Sequence, residues 1–142
     1  MIIIQVIIFC ALIIGCDKPT EATEGKVSIS TDSTIYKYSS TGIKIKATIN
    51  NTTADTVYLM AVDNIPIIVY VRSFNGELYN EYFNTVMVNK PISQIALKPQ
   101  GLYRDSGTVY ESKGTYQLKM LNVFTKQSNG SEISVSTNFT IE

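Results

Sequence analysis

The stretch "TGIKIKATIN", residues 41–50, alternates apolar and polar side chains without a break. In an extended chain Ile43, Ile45, Ala47 and Ile49 share one side, and Lys44, Lys46 and Thr48 share the other. A helix repeats every 3.6 residues and would scatter both sets around its circumference. The segment is therefore expected as a half-buried β-strand. The same period recurs in "KVSIST", "TVYLMAV", "ELYNEYF", "ISQIALKP", "LYRDSGTVY", "GTYQLKMLNVF" and "ISVSTNFTIE". "PIIVYVRS" is almost continuously apolar, the pattern of a strand covered on both faces. Turn chemistry separates the runs: "NNTTAD", Asn75-Gly76, Pro99 and "QSNGSE" all favour local side-chain bonds or special backbone angles. Residues 26–142 are thus expected to form an all-β domain of seven to nine short antiparallel strands. Strands that each have one apolar face to bury pack naturally as a β-sandwich.

Composition narrows what such a domain can do. The chain has 142 residues, 44% of them hydrophobic, so a single well-filled core is within reach. Twelve basic residues balance twelve acidic ones, and the lysines are scattered singly, which argues against a nucleic-acid partner. There is no histidine, and the only cysteines are Cys10 and Cys16. The body therefore has no thiol nucleophile, imidazole base, disulfide or Cys/His metal site. Its carboxylates (Asp63, Glu77, Glu81, Asp105 and Glu111) show no spacing that pairs them for glycoside cleavage, and no calcium-loop pattern occurs. No catalytic residue, metal ligand or diffusible cofactor is expected, and the chain is read as a non-enzyme.

The amino-terminal residues have a different character. "MIIIQVIIFCALIIG" carries no charged side chain, and the next residues, "CDKPTEATEG", are small, charged or turn-forming. At about 1.5 Å per residue a helix over residues 2–15 reaches roughly 21 Å, short of the ~30 Å hydrocarbon core. An apolar run of this length ending in a small residue has the form of a signal-peptide core. Ile13-Ile14-Gly15-Cys16 resembles the lipobox of bacterial lipoproteins, with Ile13 where Leu is usual. That resemblance implies cleavage before Cys16 and a diacylglycerol on its thiol, usually joined by an acyl chain on the new amino terminus. Residues 1–15 are then a signal peptide, and residues 16–25 a lipidated cysteine followed by a flexible tether. Such lipid chains, at about 0.8 kcal/mol per buried CH₂, hold a protein stably at a bilayer. The expected location is the bacterial cell envelope, at the outer-membrane or cell-surface face rather than the inner one.

Within the body, "SKGTYQLKM" resembles the late strand of immunoglobulin-like and fibronectin-III-like sandwiches. There a Gly-x-Tyr opens the strand, and the Tyr hydroxyl closes a corner onto upstream backbone. The resemblance assigns that role to Gly114 and Tyr116, with Leu118 where antibody domains carry a cysteine. A second similarity is to the bacterial intracellular proteinase-inhibitor domain. It rests on "KATINNTT", "LKPQG" and the same Gly-x-Tyr, which occur in that order.

Two stretches are candidates for a binding surface. "GELYNEYFNT" sets Tyr79, Tyr82 and Phe83 among amides and carboxylates, a mixture suited to stacking on sugars or packing against protein. "GLYRDSGTVY" offers Tyr103, Arg104 and Asp105 next to a turn expected at Ser106-Gly107, where a loop at one end of a sandwich could present them. The leading expectation is a membrane-anchored lipoprotein acting as a binding or assembly module for a protein partner in the envelope. The alternatives are a proteinase inhibitor presenting residues 99–107 as an extended loop, and a glycan- or solute-binding accessory protein using residues 79–84.

Overall fold

The structure is a computed structural model, described here for residues 25–84, 89–126 and 130–142. The leader, Cys16 and the tether to residue 24 lie outside the described residues. Thirteen strands and no helix make up the described chain. They are β1 (Val27–Thr31), β2 (Ile35–Tyr36), β3 (Ile43–Asn51), β4 (Val57–Val62), β5 (Ile65–Pro66), β6 (Ile68–Phe74) and β7 (Glu77–Tyr82). β8 (Ile92–Leu97), β9 (Leu102–Val109), β10 (Gly114–Met120), β11 (Val123–Phe124), β12 (Glu132–Ile133) and β13 (Ser136–Ile141) complete the order. Nine of these have five residues or more, and the other four are two-residue pairings.

One layer has the order β1-β3-β9, antiparallel throughout. The facing layer has the order β2-β13-β10-β6-β7. A further set, β12-β11-β4-β5 with β8 also paired to β4, extends this second layer. Main-chain bonds carry the extension: Leu121 N–H donates to Ile67 O (3.1 Å), and Met60 N–H donates to Asn122 O (3.2 Å). β4 and β6 thus lie along one line beside β10 and β11, interrupted by an excursion over residues 61–66. Ile67 N–H donates to Met60 O at 2.9 Å and closes the neck of that excursion. Its tip, Asp63-Asn64, has φ of 53° and 61°, the left-handed pair of a tight hairpin turn. Asp and Asn tolerate that region better than other side-chain-bearing residues do.

The first strand region also serves both layers. β1 pairs with β3, then the chain crosses and β2 runs parallel to β13. An A-strand that changes sheets in this way, a B–E pair facing an F–G pair, and long connections between them define an immunoglobulin-like β-sandwich.

The core follows the alternation. Ile43, Ile45, Ala47 and Ile49 of β3 are all buried, and the intervening Lys44 and Lys46 are exposed. They meet Ile68, Tyr70, Leu118, Phe139 and Ile141 from the opposite layer in one cluster. Burying each such aliphatic side chain contributes about 1.5–3 kcal/mol. Four rings run through the second layer, each from a neighbouring strand. Tyr70 meets Tyr116 edge-on at 6.5 Å, Tyr116 stacks on Phe139 at 5.6 Å, and Phe139 meets Tyr36 edge-on at 6.0 Å. A smaller apolar group of Val62, Ile67 and Val69, flanked by Met60 and Leu121, fills the outer side where the excursion folds back.

Candidate functional site

Asn51, at the end of β3, has no exposed surface. Its Nδ2 donates to Asp55 O (2.8 Å), Leu97 O (2.9 Å) and Lys98 O (3.1 Å), and its Oδ1 accepts from Thr53 N–H (3.0 Å) and Thr53 Oγ1 (2.6 Å). This one amide ties the turn after β3 to the corner between β8 and β9. The segments "KATINNTT" and "LKPQG" therefore meet in space, and Asn51 is the joint. Its part is structural, since nothing on it is left open to a ligand.

β9 is the outer strand of the first layer and pairs along its length with β3, from Ile43↔Val109 to Asn50↔Leu102. Tyr103, Arg104 and Asp105 are thus consecutive residues within a strand. The turn expected at Ser106-Gly107 does not form, and residues 99–107 are not an extended loop. Only Pro99-Gln100 turns, with Gln100 in the left-handed region at φ 58°. Gly107 has a different reason for being glycine: a Cβ there would lie 1.9 Å from Phe83 O. The chain leaving β7 passes directly beneath β9 at that point.

The same crossing brings the two candidate stretches together. Asn84, buried, donates from Nδ2 to Asp105 Oδ2 (2.7 Å) and to Pro66 O (2.8 Å). The other Asp105 oxygen accepts the Ser106 amide at 2.7 Å. Tyr103 is half-buried against the core, and burial, followed by the nearby charge of Asp105, raises its phenol above the usual value. Arg104 is exposed on the outer face.

That outer face has its own chemistry. Alternation and register place Lys44, Lys46, Thr48 and Asn50 of β3 beside Leu102, Arg104, Ser106 and Thr108 of β9. Ser28 and Ser30 of β1 complete it. These strand positions carry three cations and no carboxylate. An open depression of about 570 Å³ lies here, lined by Asp32, Lys46, Thr48, Arg104, Asp105 and Ser106. Asp32, just past β1, accepts from Lys46 N–H (3.0 Å) and from the Tyr36 hydroxyl (2.7 Å). Burial acts to raise the Asp32 carboxyl, but the bonds from Tyr36 and Lys46 and the Lys46 charge outweigh it and hold it below its usual value. Tyr36 is pushed up to about 12, first by burial and then by its bond to Asp32.

The β6–β7 hairpin carries the other candidates. Phe83 is a core residue at 2% exposure, so it belongs to no binding surface. The alternation that exposes Tyr82 and Leu78 on the outer side of β7 turns the next residue inward. Tyr79 and Tyr82 are both exposed but lie on opposite faces of the strand, three residues apart, and so form no common stacking platform. Tyr79 is engaged locally, its hydroxyl donating to Glu77 Oε2 at 2.6 Å. Behind it, Arg72 meets Glu81 at 3.0 Å and Glu111 at 3.5 Å, and the Tyr70 hydroxyl donates to Glu111 at 3.2 Å. Burial, then the Glu111 charge, pushes Tyr70 up to about 12. Two of the body's carboxylates are thereby occupied in one ion-pair cluster.

Gly114 opens β10, and the Tyr116 hydroxyl donates to Ser112 O at 2.8 Å, four residues upstream. Among the described residues no group of three or more acidic, Cys or His side chains converges on a point. The sequence signal that would have found Lys46 was present: the β3 alternation turns it outward. Asn84 and Asp32 had no comparable signal, because their partners are set by tertiary crossing.

No family model matches the chain, and no curated protein matches it. Solved structures of similar shape include the CARDB domain of a Pyrococcus furiosus protein, at 12% identity and TM-score 0.39, covering 84% of this chain and 88% of that one. A PapD-like domain of a human protein aligns at 10% identity and TM-score 0.36, covering 80% and 81%. A β-glucosidase from Listeria innocua aligns at 12% identity and TM-score 0.37, covering 82% of this chain but 16% of the enzyme. These likenesses transfer no residue and no activity. The class stated by the strand order is an immunoglobulin-like β-sandwich.

Proposed function

We propose that this protein is a membrane-anchored bacterial envelope lipoprotein whose sandwich domain is a non-catalytic binding or assembly module. The observation that carries the anchor is the boundary at Ile13-Ile14-Gly15-Cys16, where an uncharged apolar run ends on a small residue and a cysteine followed by a polar tether. The observation that supports the module is the outward face of β3 and β9, where Lys44, Lys46, Thr48, Arg104, Ser106 and Thr108 stand side by side. In this reading Cys16 carries the lipid, the membrane is the first partner, and the outer faces of β3, β7 and β9 meet the second. The inhibitor alternative would have to use another segment, since Leu102–Val109 is strand paired with β3. Exposure of Tyr82 and Leu78 on β7 keeps a small contact surface for a protein or glycan there.

Membrane fractionation of Cys16→Ser tests the anchor. The expected result is that the unmodified chain sediments with membranes and the variant either keeps its leader or leaves the membrane fraction. A variant that stays membrane-bound after its leader has been removed overturns the lipid reading.

A further inference from the structure

We infer that the depression between β3 and β9 is a binding site for a small oxyanion, a phosphate ester or carboxylate group, held between Lys46 and Arg104. The inference rests on the domain being a binding module but is independent of the anchor. Lys46 stands opposite Ser106, and Arg104 stands opposite Thr48, so the two cations are diagonal neighbours on one face. Diagonal positions lie about 7–8 Å apart at the backbone, a span that two long side chains close around one group. A guanidinium presents paired donors to two oxygens, and an ammonium adds a mobile third.

The cations are available. Among the described residues the ion pairs all belong to Arg72, and neither Lys46 nor Arg104 has a carboxylate within 4 Å. Asp32 lines the rim, where its Oδ1 accepts from the Tyr36 hydroxyl and the Lys46 amide and its charge is felt by Lys46 from beyond ion-pair distance. Asp105 is likewise committed, one oxygen to Ser106 N–H and the other to Asn84. The Thr48 and Ser106 hydroxyls line the same depression and are left as further donors. Two outward cations and two hydroxyls converge on this face, while Asp32 stands at its rim and Asp105 is bonded to Asn84 and Ser106. Converging cations with hydroxyl donors suit an oxyanion better than a cation or a neutral sugar. The concave shape favours a single group over a flat bilayer.

The test uses the isotope-labelled full chain in detergent micelles, titrated with inorganic phosphate against sodium chloride at equal ionic strength. The expected result is saturable movement of the Lys46, Thr48, Arg104 and Ser106 amide signals with phosphate and little movement with chloride. Lys46→Gln and Arg104→Gln each weaken that binding about tenfold, whereas Lys119→Gln, on the opposite layer, leaves it unchanged. Dispersed spectra show that each variant is folded. Cys16→Ser keeps the phosphate response, which separates this site from the anchor. Equal, non-saturating shifts with both salts, or unchanged affinity in Lys46→Gln, overturn the inference. So does a response of these amides to phosphatidylglycerol-containing vesicles but not to phosphate, which would make the face a membrane contact instead.

Discussion

Asn51 and Leu97 lie forty-six positions apart in sequence and are joined by a 2.9 Å hydrogen bond from the Asn51 amide to the Leu97 carbonyl. With the bonds to Asp55, Lys98 and Thr53, this buried side chain uses both its donor and its acceptor ends. Removing it strands two turns' worth of polar groups in the interior. Asn51→Ala is expected to lower stability by about 2–3 kcal/mol, the penalty for buried groups left unpaired. Asn51→Asp should do at least as much damage, because it sets a carboxylate against three carbonyl oxygens. Urea unfolding followed by circular dichroism measures both. A loss below about 0.5 kcal/mol, typical of surface substitutions, would show that the joint is dispensable.

The physical range of each interaction decides what the sequence could reveal. The β3 pattern was legible because burial alternates residue by residue, and Ile45 and Lys46 announce their faces by themselves. The Tyr116 hydroxyl bonds to Ser112 O only four residues upstream, a contact short enough for a local motif to carry. Ser106-Gly107 misled, because a dipeptide with turn chemistry was held straight by eight residues of pairing to β3. Its glycine answers to Phe83, more than twenty positions distant. Phe83 itself could not be told from Tyr79 and Tyr82 until the chain's crossing under β9 was known. The split of one strand line into β4 and β6 was hidden too, since both halves alternate normally.

The close approach at that crossing gives a second expectation. A Cβ on residue 107 would meet the Phe83 carbonyl oxygen at 1.9 Å and its carbonyl carbon at 2.8 Å, both backbone atoms that cannot simply rotate aside. Gly107→Ala should therefore destabilise the domain by about 1–3 kcal/mol, as overpacking does. Thr108→Ala, one residue along and outward-facing, should stay within about 0.5 kcal/mol. Thermal melts of the pair give the comparison. Equal stability of the two variants would mean that β9 and the Phe83 chain can separate freely.

Two tyrosines make a pH prediction. Tyr36 and Tyr70 are each raised to about 12 from an ordinary value of 10.0, chiefly by burial and then by the bond to Asp32 for Tyr36 and the charge of Glu111 for Tyr70. A raised phenol keeps its proton longer in the folded state than in the unfolded one. Its contribution to stability is complete below pH 10 and is lost as pH rises through 12. Ultraviolet titration of the folded chain should show these two phenols ionising last, with unfolding following in the same window. Tyr36→Phe and Tyr70→Phe should each remove one late-titrating phenol. A single titration at the ordinary value for every tyrosine would contradict the buried hydrogen-bonded pairs.

Asp105 controls what β9 can join. Asn51 N–H donates to Gly101 O, so odd-numbered residues along β9 aim their main-chain groups at β3. Even-numbered residues aim theirs at the edge away from β3, which no strand among the described residues pairs. Ser106 is one of these, and its outward N–H is taken by Asp105 Oδ1 at 2.7 Å. A carboxylate folded over an edge amide blocks a neighbouring strand by occupying the donor and by repelling incoming carbonyls. Asp105→Ala should uncover Ser106 N–H and also leave the buried Asn84 amide one acceptor short. The expected outcome is concentration-dependent self-association together with about 1–3 kcal/mol of lost stability. Analytical ultracentrifugation over a range of concentrations reads the first effect, and denaturant unfolding at low concentration reads the second. Asp105→Asn separates them, because its side-chain oxygen can still accept from Ser106 while its charge is gone. If Asp105→Ala stays as monodisperse as the unmodified chain, the edge is guarded by the Phe83–Asn84 crossing rather than by this carboxylate.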